Sequence, residues 1–285
     1  MKKVLLILMC CMAIQSVHAQ DTPKWADKAK KAVFSIVTYD KENKIKNTGN
    51  GFYIDNNGTA LSDYSLFEDA ERAVIINADG KELPVTRIAG ANSMYDVIKF
   101  RTETEKKITA LKVATQPAAV GETVYLLPYS TQKAATCQTG KVTQVDTIAD
   151  KAYYYTLTMT TSDKTVSCPI MNANGEVLGL IQKSASEEDK ESYAIGASYG
   201  ESLSISPLSA NDINLNKIGI AKALPETEDQ ALVYLYMSSS QMDAKNYLAT
   251  LNDFLQAYPN STEGYTRRAG YYMNIGDDEH NALAE

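Results

Sequence analysis

Histidine is the scarcest ionisable residue in this 285-residue sequence, which contains only His18 and His280. His18 lies in an N-terminal leader, so the chain without that leader has one imidazole. A single histidine cannot form a clustered metal site or pair with a second imidazole in catalysis, and the sequence has no clustered sulfur ligands. We therefore expect no metal site and no cofactor.

Cysteine is scarce as well, and two of the four cysteines, Cys10 and Cys11, belong to the leader. The other two are Cys137 and Cys168. If the chain is exported, they face an oxidising compartment and could form a disulfide. Alternatively, both are buried reduced cysteines that behave as small apolar residues. The sequence favours neither explanation.

Long apolar runs are absent apart from residues 4–14, "VLLILMCCMAI". Lys2 and Lys3 precede this run, and "SVHA" follows it with small or apolar residues before Gln20. This pattern predicts a secretory signal peptide over residues 1–19, too short for a stable membrane anchor. A lipoprotein signal at Cys10 is less favoured, because Met9 is bulky where a small residue is needed. We expect a secreted, periplasmic protein without a membrane span.

Basic residues are outnumbered by acidic ones. Loss of the leader removes two of the 28 basic residues and leaves 26 against 35 acidic residues, a net charge of −9. Such a surface favours solubility and argues against nucleic acid or an anionic membrane as a partner.

Short β-branched and aromatic runs dominate the chain up to about residue 205. They include "AVFSIVTY", "GFYIDNNGTALS", "DVIKFR", "TVYLLPY" and "EVLGLIQ", and Asn57-Gly58 has the composition of a hairpin turn. The run "AYYYTLTM" could form an aromatic binding platform, but alternating Tyr and Thr are typical of a half-buried strand. Many strands without intervening helical patterns predict a β-barrel or sandwich over residues 22–222.

The spacing of apolar residues changes to that of helices after the polar linker "ALPETEDQ" at 223–230. Two helical faces are predicted by apolar spacing: Ala231, Tyr234, Leu235 and Ser238 on the first, and Tyr247, Leu248, Leu251, Phe254 and Leu255 on the second. On a 34-residue frame that starts at Glu228 and has Pro259 near its end, this pattern resembles a tetratricopeptide repeat. A second unit would open at Thr262, with Tyr265, Ala269, Tyr272 and Gly276 at its frame positions. We expect residues 223–285 to form such helices within a truncated repeat array; an unrelated helical hairpin is the alternative.

The β region resembles a trypsin-like serine protease of the HtrA type. The segments that carry the resemblance occur in the family's order: "WADKAKKAVFSIVTYD", "GNGFYIDNNGTALSDYSLFEDA", "NSMYDVIKF" and "SCPIMNANGEVLGLI". The resemblance implies a double β-barrel with its active site in the cleft between the barrels. The expected fold is therefore a mainly β, trypsin-like double barrel followed by an all-α segment.

The same resemblance implies that the catalytic triad is degenerate. Alignment on Gly49-Asn50-Gly51-Phe52 places Ser65 where the family has its catalytic histidine, and Asp96 matches the triad aspartate. Alignment on Pro169 places Val166 at the nucleophile, although a one-residue gap would place Ser167 there. A serine hydroxyl cannot act as general base at neutral pH, so no intact triad is expected. Asp96 is either a retained member of the triad or an ordinary loop carboxylate.

Other nucleophiles were considered, namely Ser167 paired with Lys164 or Lys183, and the Cys168 thiol. Each needs a neighbour or a degree of burial that the sequence does not display.

The preferred interpretation is a catalytically inactive protease homologue that binds protein or an extended peptide. The alternatives are a serine endopeptidase whose base is non-standard or supplied by a partner, and a purely structural domain with a filled cleft.

Overall fold

The computed structural model describes residues 22–104, 108–149, 152–182, 190–275 and 279. The predicted signal peptide, Lys183, Gly276 and His280 lie outside these residues. Within the described ranges, no helix is long and apolar enough to cross a membrane.

The first six strands form a closed barrel in the order β1-β2-β3-β6-β5-β4. Their bounds are β1 Val33–Tyr39, β2 Ile45–Tyr53, β3 Thr59–Ser62, β4 Arg72–Ile76, β5 Glu82–Asn92 and β6 Val97–Thr102. The predicted turn at Asn57-Gly58 joins β2 to β3: Gly58 has φ +95°, and Asp55 Oδ1 accepts the amides of Asn57 and Thr59 at 2.8 and 2.9 Å. Glycine is suited to this left-handed position, so local sequence fixes the hairpin.

The next six strands close a second barrel in the order β10-β11-β12-β9-β8-β7. They are β7 Thr123–Leu126, β8 Gln138–Ala149, β9 Ala152–Leu157, β10 Pro169–Met171, β11 Val177–Ile181 and β12 Ser192–Gly196. The Tyr-rich run "AYYYTLTM" lies largely in β9, where Tyr155 is buried and Tyr153 and Tyr154 are half-buried. It is therefore a half-buried strand, as its alternation predicted.

The helices are α1 Ala26–Ala29, α2 Ala197–Ser202, α3 Ile213–Asn216, α4 Glu228–Ser238, α5 Ala244–Ala257 and α6 Thr262–Ile275. Thr227 and Asp243 cap α4 and α5 by accepting backbone amides through their side chains.

The predicted face of α4 is confirmed, since its buried residues are Ala231, Tyr234, Leu235 and Ser238. On α5, Leu251, Phe254 and Leu255 are buried as predicted. Tyr265 of α6 is 48% exposed although the repeat frame placed it at a large apolar position, so the assignment to tetratricopeptide repeats stays a prediction.

The apolar core runs through both barrels, while a separate small cluster of Ala231, Leu235, Leu251, Phe254 and Leu255 joins α4 to α5. The chain thus has a trypsin-like double barrel followed by a helical segment. This arrangement is the predicted fold class.

Candidate functional site

Ser65 and Asp96 lie in direct contact, although 31 residues separate them in sequence. The backbone amide of Ser65 donates to Asp96 Oδ1 at 2.7 Å, and the Ser65 hydroxyl donates to Asp96 Oδ2 at 3.0 Å. A carboxylate that accepts an amide and a hydroxyl has two charge-assisted hydrogen bonds. Ser65 and Asp96 occupy the positions that the alignment assigned to the catalytic histidine and the triad aspartate. Ser65 holds the carboxylate of Asp96 through these two hydrogen bonds.

The local fold explains this contact. Ser65 lies in the 3₁₀ turn Tyr64–Leu66 that follows β3, and Asp96 immediately precedes β6, the strand that pairs with β3. Asp96 adopts φ +47°, a left-handed conformation that turns the chain into β6. The hydroxyl of the neighbouring Tyr64 does not contact Asp96 and donates to the Asn214 carbonyl at 3.1 Å.

The segment 162–168 contains Val166 and Ser167, the two positions that the alignment offered for the nucleophile. Ser162 O accepts the amides of Thr165 and Val166 at 2.8 and 3.2 Å, which folds this segment into a tight turn. In trypsin-like enzymes the nucleophile's own amide stabilises the oxyanion of the tetrahedral intermediate. The amide of Val166 is already used within the turn, so this position lacks a free donor as well as a hydroxyl.

Ser167, the alternative nucleophile, is fully buried and has φ +64°. The Ser167 hydroxyl oxygen forms no hydrogen bond with a described residue. It faces the carboxyl of Asp63, whose side chain is also buried. A nucleophile must reach a substrate carbonyl, and a hydroxyl with no exposed surface cannot do so without rearrangement.

Two polar side chains connect the barrels beside this site. Asn50 Nδ2, from β2, donates to the carbonyls of Val166 and Lys164 at 2.9 and 3.1 Å. Gln182 Nε2, from the second barrel, donates to the carbonyl of Tyr95 at 2.8 Å, next to Asp96. These bonds bring the first barrel and the segment that carries Val166 together.

Asp63, Asn50 and Gln182 were missed as site residues by the sequence interpretation. The sequence does contain an indication for Asp63, because an acidic residue interrupts the run "TALSDYSLF" directly after a buried strand. It contains no such indication for Asn50 and Gln182, since amide side chains are common in strands and loops.

Of the lysines considered as partners for Ser167, Lys164 has an exposed side chain and Lys183 lies outside the described residues. Burial raises the pKa of the Cys168 thiol to about 12, and Asp63 adds to the rise when it is ionised. A thiol with that pKa holds almost no thiolate at neutral pH, and Cys168 is therefore a poor nucleophile.

Of the two alternatives left open for the cysteines, the structure has the reduced one: Cys137 and Cys168 are both free thiols. Cys137 precedes β8 and Cys168 precedes β10, and these two strands pair with opposite edges of β7. Two strand spacings, about 9–10 Å, separate such positions. This separation exceeds the Cα distance of about 4.4–6.8 Å that a disulfide requires.

Thiol titration checks this assignment. With Ellman's reagent at pH 8, the denatured, unreduced chain of residues 20–285 is expected to release two equivalents of chromophore. The native protein is expected to release less, because Cys168 is fully buried and burial raises the pKa of the Cys137 thiol to about 11. No release from the denatured chain without reductant would establish the disulfide instead.

Comparison with known proteins agrees with this geometry. Residues 49–180 match the family model of the trypsin-like peptidase domain. A serine endoprotease from Yersinia pestis is similar in structure, with a TM-score of 0.52 and 15% sequence identity; the match covers 61% of this chain and 61% of that one. No curated protein matches the sequence significantly.

The identity to the Yersinia structure is low, so it supports the fold alone. The family match includes Ser65, Asp96 and Val166, and the two barrels close in the arrangement expected for that family. The chain therefore has the trypsin-like double β-barrel fold, and residues 49–180 are similar to the trypsin-like peptidase domain.

Proposed function

We propose that this trypsin-like domain is catalytically inactive and serves as a protein- or peptide-binding module of a secreted, periplasmic protein. The observation that carries the proposal is the pair Ser65–Asp96, in which a serine takes the hydrogen-bonding place of the catalytic base. None of the described residues is a histidine. The buried hydroxyl of Ser167 and the occupied amide of Val166 support the same conclusion.

Binding is supported by a groove between the first barrel and the helical segment. This cavity of about 760 Å³ is lined by Arg87 and Arg101 of the barrel, by Leu224 and Pro225, and by Ala257 and Tyr258 at the end of α5. A neighbouring cavity of about 210 Å³ shares Arg101 and Leu224 with it. Apolar walls with a few charged groups are typical of sites for peptide segments.

The barrels themselves offer few free strand edges for a peptide. Both sheets are closed, so most strand edges are already paired and cannot accept an added strand. Ion pairing of Arg87 with Asp253 links β5 to α5 and shapes one wall of the groove. We therefore place peptide binding in this groove rather than at a barrel edge, with the helices of the proposed repeat array forming its second wall.

Inactivity is tested with purified chain of residues 20–285. We expect no cleavage of unfolded casein and no labelling by a fluorophosphonate probe, because the probe needs a serine activated by a base. Ser167→Ala is the control, and labelling that disappears in this variant would establish an active serine and overturn the proposed inactivity.

Peptide binding is tested separately, by fluorescence anisotropy with a library of extended fluorescent peptides. Arg101→Glu is expected to weaken the best binder at least tenfold, because it reverses a positive charge that lines both cavities. Lys141→Glu, an equal charge change at an exposed position of β8, should leave affinity unchanged. Equal losses of affinity in the two variants would show that the peptide binds outside this groove. The absence of any binder in the library would contradict a peptide-binding role.

A further inference from the structure

Asp63 is a buried carboxyl at the boundary between the barrels. It follows β3 and occupies the N-terminal capping position of the 3₁₀ turn Tyr64–Leu66, but its side chain caps no amide of that turn. The residue is 2% exposed, and its Oδ1 atom has no hydrogen-bond partner among the described residues. Burial of a polar atom without a partner is costly, and burial of a charge costs far more.

The titratable groups around Asp63 offer no positive charge. Asp96, from the turn into β6, adds a like charge, and the second barrel contributes the Ser167 hydroxyl and the Cys168 thiol. Lys164, the basic residue of the same segment, is exposed and forms no ion pair with Asp63 among the contacts of the described chain. The Tyr64 hydroxyl, from the neighbouring turn, is bonded to Asn214 O instead.

This environment favours the neutral acid. Burial raises the pKa of Asp63 well above its usual range, and the charge of Asp96 raises it further. The nearby Ser167 hydroxyl lowers this pKa in part through its dipole, although it does not meet the geometry of a hydrogen bond. Loss of the proton therefore places an unpaired charge in the contact between the barrels. The free-energy cost of burying that charge is relieved only if the carboxylate reaches water.

We propose that Asp63 is a proton-controlled latch between the barrels: as the neutral acid it keeps Ser167 and Cys168 packed against the first barrel, and as the carboxylate it releases them. The contact that opens consists of Asp63, Ser167, Cys168 and the Asn50 side chain, which donates to the carbonyls on either side of Thr165. The step is the loss of one proton to solvent and involves no other reactant. The latch operates at a different place from the peptide groove and does not depend on peptide binding.

The latch has a defined effect on stability. A carboxyl whose pKa is higher in the folded than in the unfolded chain leaves the folded chain with more bound protons, so stability falls as pH rises. The fall begins near the unfolded pKa of about 4 and continues through the raised folded pKa. Asn at this position has no proton to lose, so its contribution is independent of pH.

The test uses the rate at which Cys168 is alkylated in the native protein, located by mass spectrometry of peptides. At each pH between 5 and 9 the wild-type rate is divided by the rate for Asp63→Asn, which removes the pH dependence that the thiol has in both proteins. The charge of ionised Asp63 raises the Cys168 pKa and by itself lowers this ratio, so it cannot produce a rise. We expect this ratio to rise at least tenfold with pH, since an opening linked to one ionisation changes up to about tenfold per pH unit. A ratio that stays constant across this range would overturn the proposal.

Two further variants keep Asp63 in place and move the pH of the rise in opposite directions. Asp96→Asn removes the like charge and should shift the rise to lower pH, whereas Ser167→Ala removes a hydroxyl that lowers the Asp63 pKa and should shift it to higher pH. Asp229→Asn, at an exposed position of α4, is the matched control and should leave the rise unchanged. Shifts in the same direction, or a comparable shift in the control, would contradict the latch even if Asp63→Asn does not fold.

Discussion

Replacing Phe100 with alanine is expected to destabilise the protein by about 3–5 kcal/mol, the range found for large aromatic residues in well-packed cores. Phe100 lies on β6, is fully buried, and packs against Phe67 and Phe34 with ring centroids 5.1 and 6.2 Å apart. Its loss removes apolar contacts from two neighbours and leaves a cavity that the closed barrel cannot readily fill. Such a loss is a large part of the roughly 5–15 kcal/mol that stabilises an ordinary domain.

Phe100→Ala should also disturb the contact between Ser65 and Asp96. Phe67 directly follows the 3₁₀ turn that carries Ser65, and its amide donates to the Tyr64 carbonyl at 2.8 Å. The packing of Phe67 on Phe100 therefore helps to position the turn whose amide and hydroxyl hold Asp96. Loosening the core under this turn should weaken the contact between Ser65 and Asp96 as well.

Urea unfolding followed by tryptophan fluorescence or circular dichroism measures the change. Phe100→Leu should lose less than Phe100→Ala, since it retains more of the buried volume. Tyr236→Ala is a suitable control because Tyr236 is 69% exposed, and it should change stability by less than about 0.5 kcal/mol. Losses of similar size for Phe100→Ala and Tyr236→Ala would show that the interior of the first barrel is not packed as described.

The fold could be predicted because local and non-local signals agreed. The alternating runs and the Asn57-Gly58 turn indicated strands and a hairpin, and β2, β3 and the left-handed Gly58 follow that pattern. The contact between Ser65 and Asp96 spans 31 residues, so no local pattern could reveal it. It was predicted only because the resemblance to trypsin-like proteases supplied the pairing of β3 with β6.

The remaining site features depend on tertiary contacts that one sequence does not contain. The burial of Asp63 follows from the meeting of two barrels, and periodicity within β3 gives no information about the second barrel. The cysteines were treated as possible partners because they are the two cysteines outside the leader of a chain expected to be exported. Their separation by β7 is a property of strand order, which their spacing in the sequence does not specify.

Restoring the base and the nucleophile together, as Ser65→His with Val166→Ser, is expected to leave the chain without detectable peptidase activity. A histidine at position 65 would have Asp96 beside it, as the present contact of 2.7 Å from the Ser65 amide shows. A serine at 166 would still lack its oxyanion donor, because that amide donates to Ser162 O. Removal of one such donor costs about 10²–10³ in rate even in an otherwise intact enzyme.

Adding Lys164→Gly and Ser167→Gly to that pair should produce the first measurable hydrolysis. Glycines at these positions match the Gly-x-Ser-Gly pattern of the family and allow the turn to adopt backbone angles that other residues disfavour. Ser167 already has φ +64°, so glycine there relieves rather than creates backbone strain. Asn50 still donates to the carbonyls of residues 164 and 166 and should keep the segment attached to the first barrel.

The comparison is made by fluorophosphonate labelling and by hydrolysis of an activated ester, with the four-residue variant, the two-residue variant and Ser65→His alone assayed side by side. The four-residue variant should exceed the other two by at least tenfold, because only it changes the turn that occupies the amide of position 166. Labelling of Ser65→His alone would identify Ser167 as a competent nucleophile and place the site one residue further along the chain. Equal activity of the two-residue and four-residue variants would mean that the turn at 162–168 rearranges without its glycines, and that loss of the imidazole and hydroxyl alone explains the inactivity.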